Sequence, residues 1–388
     1  MAVDLTAFRM AQSLYEDSLI SRIDVLGVAI GFRSIAQRQT AELCVKIFVA
    51  KKLPRSQVAS HQLLPSSLLL GDGTEVRTDV DEISPLQAPP PLNSQVSLIV
   101  NEAANNAFRA GNPISSAVVE ALQQKSRVSP QSKKALEPGP LITPAELDRR
   151  WRPAIGGVNV AHYRFATGTL TSGVRDVIYP QQTYLLSCSH VLALAGLAFW
   201  GDPILQPAVG LGGSYPNDTI GFLNRFVPLD PSPYGNNLVD GAIAWTNPVS
   251  VSVGAVADVG AIAGVRAAAS LELNEQVQSV GCVTGLLTGY VISINATLKI
   301  SYASLGIGPG LFVFRQQILT TPMSAFGDSG ALLMDMNRSA VGMLFTGSTT
   351  CTGHNPIEAV LVGLGISFTG GFAVEPESLK VPRRVCVK

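Results

Sequence analysis

The sequence predicts a mainly β fold preceded by a small α+β unit, and three observations carry this. From about residue 155 onward, short apolar runs alternate with Gly, Asn, Asp and Pro turns, the pattern of a β-sandwich or barrel. The 36 glycines and 25 prolines favour turns and short strands over long helices. Ahead of that region the order is helix, strand, strand, helix, strand, which reads as α+β. At 388 residues, 46% hydrophobic and 14% charged, the chain has ample material for a buried core.

The elements follow in order. Leu5, Phe8, Ala11, Tyr15 and Leu19 recur every three or four positions, so a helix is expected over 5–20. Strands are expected over 23–32, 42–49 and 74–83, with a short helix at 54–64. Residues 84–95 are proline-rich and extended, closing an N-terminal domain of residues 1–95. Residues 96–145 read as a linker with a short helix at 115–124. The remaining residues, 146–388, form one β domain, with strands expected at 167–171, 183–187, 242–245, 278–281, 290–294, 312–318, 329–334 and 340–344.

Composition excludes several classes. Formal net charge is zero, and the densest basic runs (149–152 and 382–384) are short, so the footprint of a nucleic-acid binder is missing. The five cysteines, Cys44, Cys188, Cys282, Cys351 and Cys386, are odd in number and scattered, which suits free thiols in a reducing compartment. There is no CxxC pair and no histidine pair at ligand spacing, so neither a metal nor a cofactor is expected. The N-terminus lacks a basic stretch followed by an apolar one, and His190 and Asp258 interrupt the apolar runs at 185–200 and 249–265. A cytoplasmic protein with no membrane span is therefore expected.

The chemistry concentrates in three places. Gly327–Asp328–Ser329–Gly330 precedes an apolar run. Flanking glycines let the backbone turn tightly and aim its amides at one point, which a nucleophilic serine needs to hold an oxyanion. By itself the tetrapeptide also suits an ordinary polar turn. A serine is a weak nucleophile without a base. His190 is placed to be one, at the end of an apolar strand in Ser187–Cys–Ser–His–Val–Leu–Ala193. Alone, it could equally be a half-buried histidine satisfied by backbone. Asp240 lies among apolar residues in Val239–Asp–Gly–Ala–Ile243, where a carboxylate needs a partner such as an imidazole N–H, or else supports the turn at Gly241. Together the order is His, Asp, Ser, the chymotrypsin order rather than the subtilisin or α/β-hydrolase one. Cys188, two residues before His190, leaves a cysteine nucleophile as a second reading, but one that leaves Ser329 unexplained.

The segments S-C-S-H-V-L-A, V-D-G-A-I-A and G-D-S-G-A-L resemble the trypsin/chymotrypsin-like serine peptidases over roughly residues 150–375. The leader runs 27–32, 45–49 and 78–82, with 283–291, further resemble the bacterial members related to the plant narrow-leaf proteins. The resemblance implies a chymotrypsin-like double β-barrel with the site between the barrels. It implies a serine endopeptidase with His190, Asp240 and Ser329 as triad, and Gly327 and Ser329 N–H groups as oxyanion hole. The strand 341–348 would offer Phe345 and Gly347 backbone groups to an extended substrate. Met323, six residues before the nucleophile, would floor the pocket for the residue preceding the scissile bond, favouring an apolar or small one. Two departures bear on substrate preference: Phe345 and Thr346 replace a serine and a bulky aromatic of the digestive members. The faint zymogen-like run Ala154–Ile–Gly–Gly–Val158 follows Pro153 and Trp151, which argues against proteolytic activation, and a turn contact is expected for Asp328 instead.

The expected partner is a protein or peptide substrate. A homo-oligomer formed through the N-terminal region is also considered, because the apolar helix at 5–20 is suited to packing. The alternative function is a latent or inactive peptidase fold serving as a protein-binding scaffold.

Overall fold

A computed structural model describes residues 4–35, 38–88, 141–232, 235–303 and 311–369. The helix expected at 115–124 and Cys386 lie outside these residues. The protein is mainly β, with two curled sheets in chymotrypsin-like double-barrel fashion and a small α+β region at its N-terminus.

The helix Thr6–Ile20 buries Ala11, Leu19 and Ile20 against the strands Val25–Ile35 and Arg38–Val49. The strand Val25–Ile35 is apolar on both faces because both are covered. Val25 and Val28 pack under the helix with Val45 and Ile47, while Ala29 and Ile30 join the cores of the β domain. Its far edge pairs antiparallel with the long strand Gly285–Ser301, Gly27 opposite Leu298 and Ile30 opposite Ile294. The N-terminal sheet is thus continuous with the second barrel. Side chains reinforce the seam: Gln12 Nε2 donates to Asn295 O (2.6 Å), and Arg315 ion-pairs with Glu16 (2.7 Å) and Asp17 (2.6 Å). Where a short helix is expected at 54–64, two 3-10 turns form, Arg55–Gln57 and Ser60–Gln62. Neither turn buries a residue, so nothing there stabilises a longer helix.

The second barrel closes on itself. Gln276–Gly281 pairs with Leu332–Asp335, then the sheet runs through Ser339–Gly347, Thr352–Pro356, Leu311–Thr320 and Gly285–Ser301 back to Gln276–Gly281. The first barrel orders Ser172–Asp176, Thr183–Ser187, Ala242–Thr246, Thr219–Phe226, Pro203–Leu205 and Asn159–His162. A strand expected from Ser329 starts only at Leu332, because Gly330 holds φ +102° and turns the chain first. Among the described residues, no helix is long and apolar enough to cross a membrane.

Candidate active site

The strand Thr183–Ser187 delivers His190 at the start of a single helical turn, Ser189–Leu192, and Asp240 precedes the strand Ala242–Thr246, which pairs with it. Adjacent strands therefore bring the two residues together. His190 Nδ1 lies 2.5 Å from Asp240 Oδ2, and the His190 backbone N–H donates to Asp240 Oδ1 at 3.0 Å. Both side chains are fully buried.

Asp240 is held from further sides, at its carboxylate and at its backbone N–H. The Tyr302 hydroxyl donates to Asp240 Oδ2 at 2.6 Å. The Asp240 N–H donates to Asn355 Oδ1 at 2.9 Å, and Asn355 Nδ2 donates to Gln317 Oε1 at 2.7 Å. Burial opposes the charge on Asp240, but His190 and the hydrogen bonds from His190 and Tyr302 outweigh it and keep the carboxyl below its ordinary value. Tyr302 is driven well above its ordinary range by burial and then by the charge of Asp240, so it stays a donor. Its ring stacks on Phe314 and meets Phe312 edge-on. Tyr302, Asn355 and Gln317 are the site residues that sequence reasoning missed. None of the three lies in a recognisable motif: Tyr302 follows the end of the strand Gly285–Ser301, Asn355 lies in Thr352–Gly–His–Asn–Pro356, and Gln317 follows Gln316 in the strand Leu311–Thr320.

Ser329 sits in a turn between the second-barrel strands Leu311–Thr320 and Leu332–Asp335, which hydrogen-bonds to the first barrel. Thr169 N–H donates to Ser329 O (2.8 Å), Thr169 Oγ1 to Gly327 O (2.9 Å) and Thr171 Oγ1 to Gly330 O (2.6 Å). Gly330 N–H donates to Leu344 O at 2.7 Å. Gly327 has φ +106° and Gly330 φ +102°, and a Cβ on Gly330 would come within 2.1 Å of Thr169 O. Among the described residues no protein acceptor takes the Gly327 or Ser329 N–H. His190 Nε2 is buried and carries no hydrogen bond, to Ser329 or to any other described residue.

Asp328 is buried, with Oδ1 accepting from Val283 N–H (2.9 Å) and Thr284 N–H (3.2 Å) and Oδ2 from Ala325 N–H (2.8 Å). Backbone amides thus hold it, in keeping with the expected turn contact. Ile155 lies inside the strand Ala154–Gly156, which is paired to Val251–Val256.

Cys188 Sγ donates to Leu344 O at 3.1 Å. Its thiol is pushed well above its ordinary range by burial and then by Asp240, which disfavours the thiolate a cysteine nucleophile needs. Cys188, His190 and Asp240 bring ligand atoms within 4.8 Å of one another, but the protonated thiol and the His190–Asp240 bond occupy them. His354 is buried between strands, with Nε2 3.0 Å from Thr320 Oγ1. Burial drops it to about 3, so it is neutral.

The structure places the three residues expected to bind substrate as follows. Met323 is only 3% exposed, packed in the second-barrel core with Val291, Ile318 and Leu333. Phe345 is fully buried against Phe314, with ring centroids 4.8 Å apart. Gly347 ends the strand Ser339–Gly347 and pairs with Gln87.

Residues 3–81 match the family model of the NARROW LEAF 1 N-terminal domain. No protein of curated function matches. Among solved structures, the chain is similar to Thermobifida fusca protease A (18% identity, TM-score 0.39) and to Cellulomonas bogoriensis chymotrypsin (19%, TM-score 0.38). It is also similar to a Nocardiopsis protease (17%, TM-score 0.40). Each alignment covers 55% of this chain and 96% of the other. Residues 3–81 are thus similar to the NARROW LEAF 1 N-terminal domain, and they are joined to two curled β-sheets whose fold is similar to that of trypsin/chymotrypsin-like serine proteases.

Proposed function

We propose that this protein is a serine endopeptidase. The observation that carries the reading is the buried His190–Asp240–Tyr302 chain of hydrogen bonds beside the Ser329 turn. Ser329 Oγ attacks the carbonyl carbon of a peptide bond while His190 Nε2 takes its proton. The tetrahedral oxyanion is held by the N–H groups of Gly327 and Ser329, each worth roughly 3 kcal/mol on removal. His190 then gives the proton to the leaving amine, and an acyl-enzyme forms. Water, deprotonated by the same imidazole, hydrolyses it. Asp240 keeps the proton on Nδ1 and stabilises the imidazolium. Met323 supports an apolar or small residue before the scissile bond; preference for arginine in a peptide library would count against that.

The test is labelling by a fluorophosphonate probe, comparing wild type with Ser329→Ala and His190→Ala. Labelling of the wild type alone supports the reading. A second reading, a protein-binding module with an unassembled triad, is favoured by the absence of a hydrogen bond at His190 Nε2; it expects no labelling of any form. Four cysteines, Cys44, Cys188, Cys282 and Cys351, are buried and free, which supports a cytoplasmic setting.

A further inference from the structure

We propose that the chain's own Gln87 occupies the backbone edge at Gly347, so that substrate residues beyond the second on the acyl side gain no strand pairing there. This rests on the serine-peptidase reading above.

The segment Ser84–Ala88 runs between the ends of two second-barrel strands. Gln87 bridges antiparallel to Gly347 and parallel to Ser301. Ser301 N–H donates to Leu86 O (3.1 Å), and Ala88 N–H donates to Ser301 O (3.0 Å). Backbone groups alternate sides along a strand, so Gln87's own N–H and C=O face away from Ser301, toward Gly347. Gly347 is turned to meet them. On its other side it lies opposite Thr352 in a hairpin whose adjacent pair is closed by Ser348 N–H to Cys351 O at 2.8 Å. The same alternation points the Gly347 groups out of the hairpin. Thr346 Oγ1 adds a hydrogen bond to Gln87 O at 2.8 Å. Ser84 N–H donates to Thr350 Oγ1 at 3.1 Å, and its hydroxyl lies 2.8 Å from Thr349 Oγ1.

The segment is built into the core. Leu86 and Ala88 are buried in the main cluster, while the Gln87 side chain between them is exposed, as in a half-buried strand. An incoming peptide would have to unpack both apolar anchors to take the edge. A substrate gains rate only from contacts it makes in the transition state. With strand addition at Gly347 already used, selection falls on the two residues before the scissile bond and on the leaving side.

The test uses full-length protein and peptidyl diphenyl phosphonates, which need only an activated serine. Reagents with two or four residues before the phosphorus, otherwise matched, are compared by their inactivation rate constants, beside a plain fluorophosphonate. The wild type is expected to react with both lengths within about threefold. Gln87→Pro removes the N–H that faces Gly347, and Thr346→Val removes the hydroxyl on Gln87 O. Either is expected to make the longer reagent faster by about tenfold. A wild type that already favours the longer reagent by about tenfold overturns the proposal. So does a flat response in wild type and both variants, because something other than Gln87 would then withhold the edge. If the plain fluorophosphonate labels nothing, the serine-peptidase reading itself fails.

Discussion

The Tyr302 hydroxyl reaches Asp240 Oδ2 across 2.6 Å of fully buried space, from the end of the long strand that also carries the N-terminal sheet. The orientation of the Asp240 carboxylate is therefore tied to the junction between the α+β region and the second barrel.

Tyr302→Phe removes that donor and little else. A hydrogen bond to a buried charge is worth roughly 1.5–3 kcal/mol, so kcat is expected to fall about tenfold or more with KM little changed. Because the lost bond helps keep Asp240 ionised, the acid limb of the rate profile should move to higher pH. Steady-state kinetics from acid to neutral pH check both; an unshifted acid limb would show that Tyr302 only fills space.

Gly330→Ala places a Cβ within 2.1 Å of Thr169 O and 2.2 Å of Ser187 Oγ, at φ +102°. Neither the backbone carbonyl nor the conformation can yield cheaply, so a loss of roughly 3 kcal/mol or more is expected, with fluorophosphonate labelling abolished. Thermal melts beside labelling measure this.

Cys188→Ala should leave fluorophosphonate labelling within about twofold of wild type, because the thiol is protonated and engaged with Leu344 O. The stability cost should be about 1 kcal/mol for the lost bond. Loss of labelling here, with Ser329→Ala still labelled, would reverse the choice of nucleophile.

Asp148 is raised to about 6 by burial and then by the charge of Asp328. Its folded form binds a proton more tightly than its unfolded form, so the contribution of Asp148 to stability is most favourable in acid and declines as pH rises from 3.8 to about 6. Asp148→Asn removes this decline. With solvent screening of a half-buried group the gain at neutral pH should be about 1 kcal/mol, or roughly 2–4 °C in Tm, and should vanish in acid. Melts at both pH values decide it.

Much of the fold was legible because local patterns coincide with local structure. The helix expected at 5–20 forms as Thr6–Ile20, and the strand expected at 183–187 forms as Thr183–Ser187. Alternation and periodicity report which face is apolar, and those faces are indeed buried. The apolar run at 23–32 did not reveal that one face meets a helix and the other a barrel, since a strand covered on both sides carries no period. The burial of His354 was hidden for the opposite reason: a polar residue near a turn carries no sign of burial unless its strand partners are known.

At the site, the sequence by itself determined the chemical types and their order: a serine between glycines, a histidine after an apolar strand and an aspartate among apolar residues. Those patterns are local, because turn geometry and desolvation act on the residue and its neighbours. Only the tertiary structure decided the rest. It paired His190 with Asp240, brought Tyr302 to the same carboxylate and Asn355 to the Asp240 backbone N–H, clamped the Ser329 turn through Thr169 and Thr171, and set Gln87 on the edge of Gly347. Each of these contacts joins residues far apart in the chain, and the pairing register of strands, rather than any property of the residues alone, brings them within hydrogen-bonding reach.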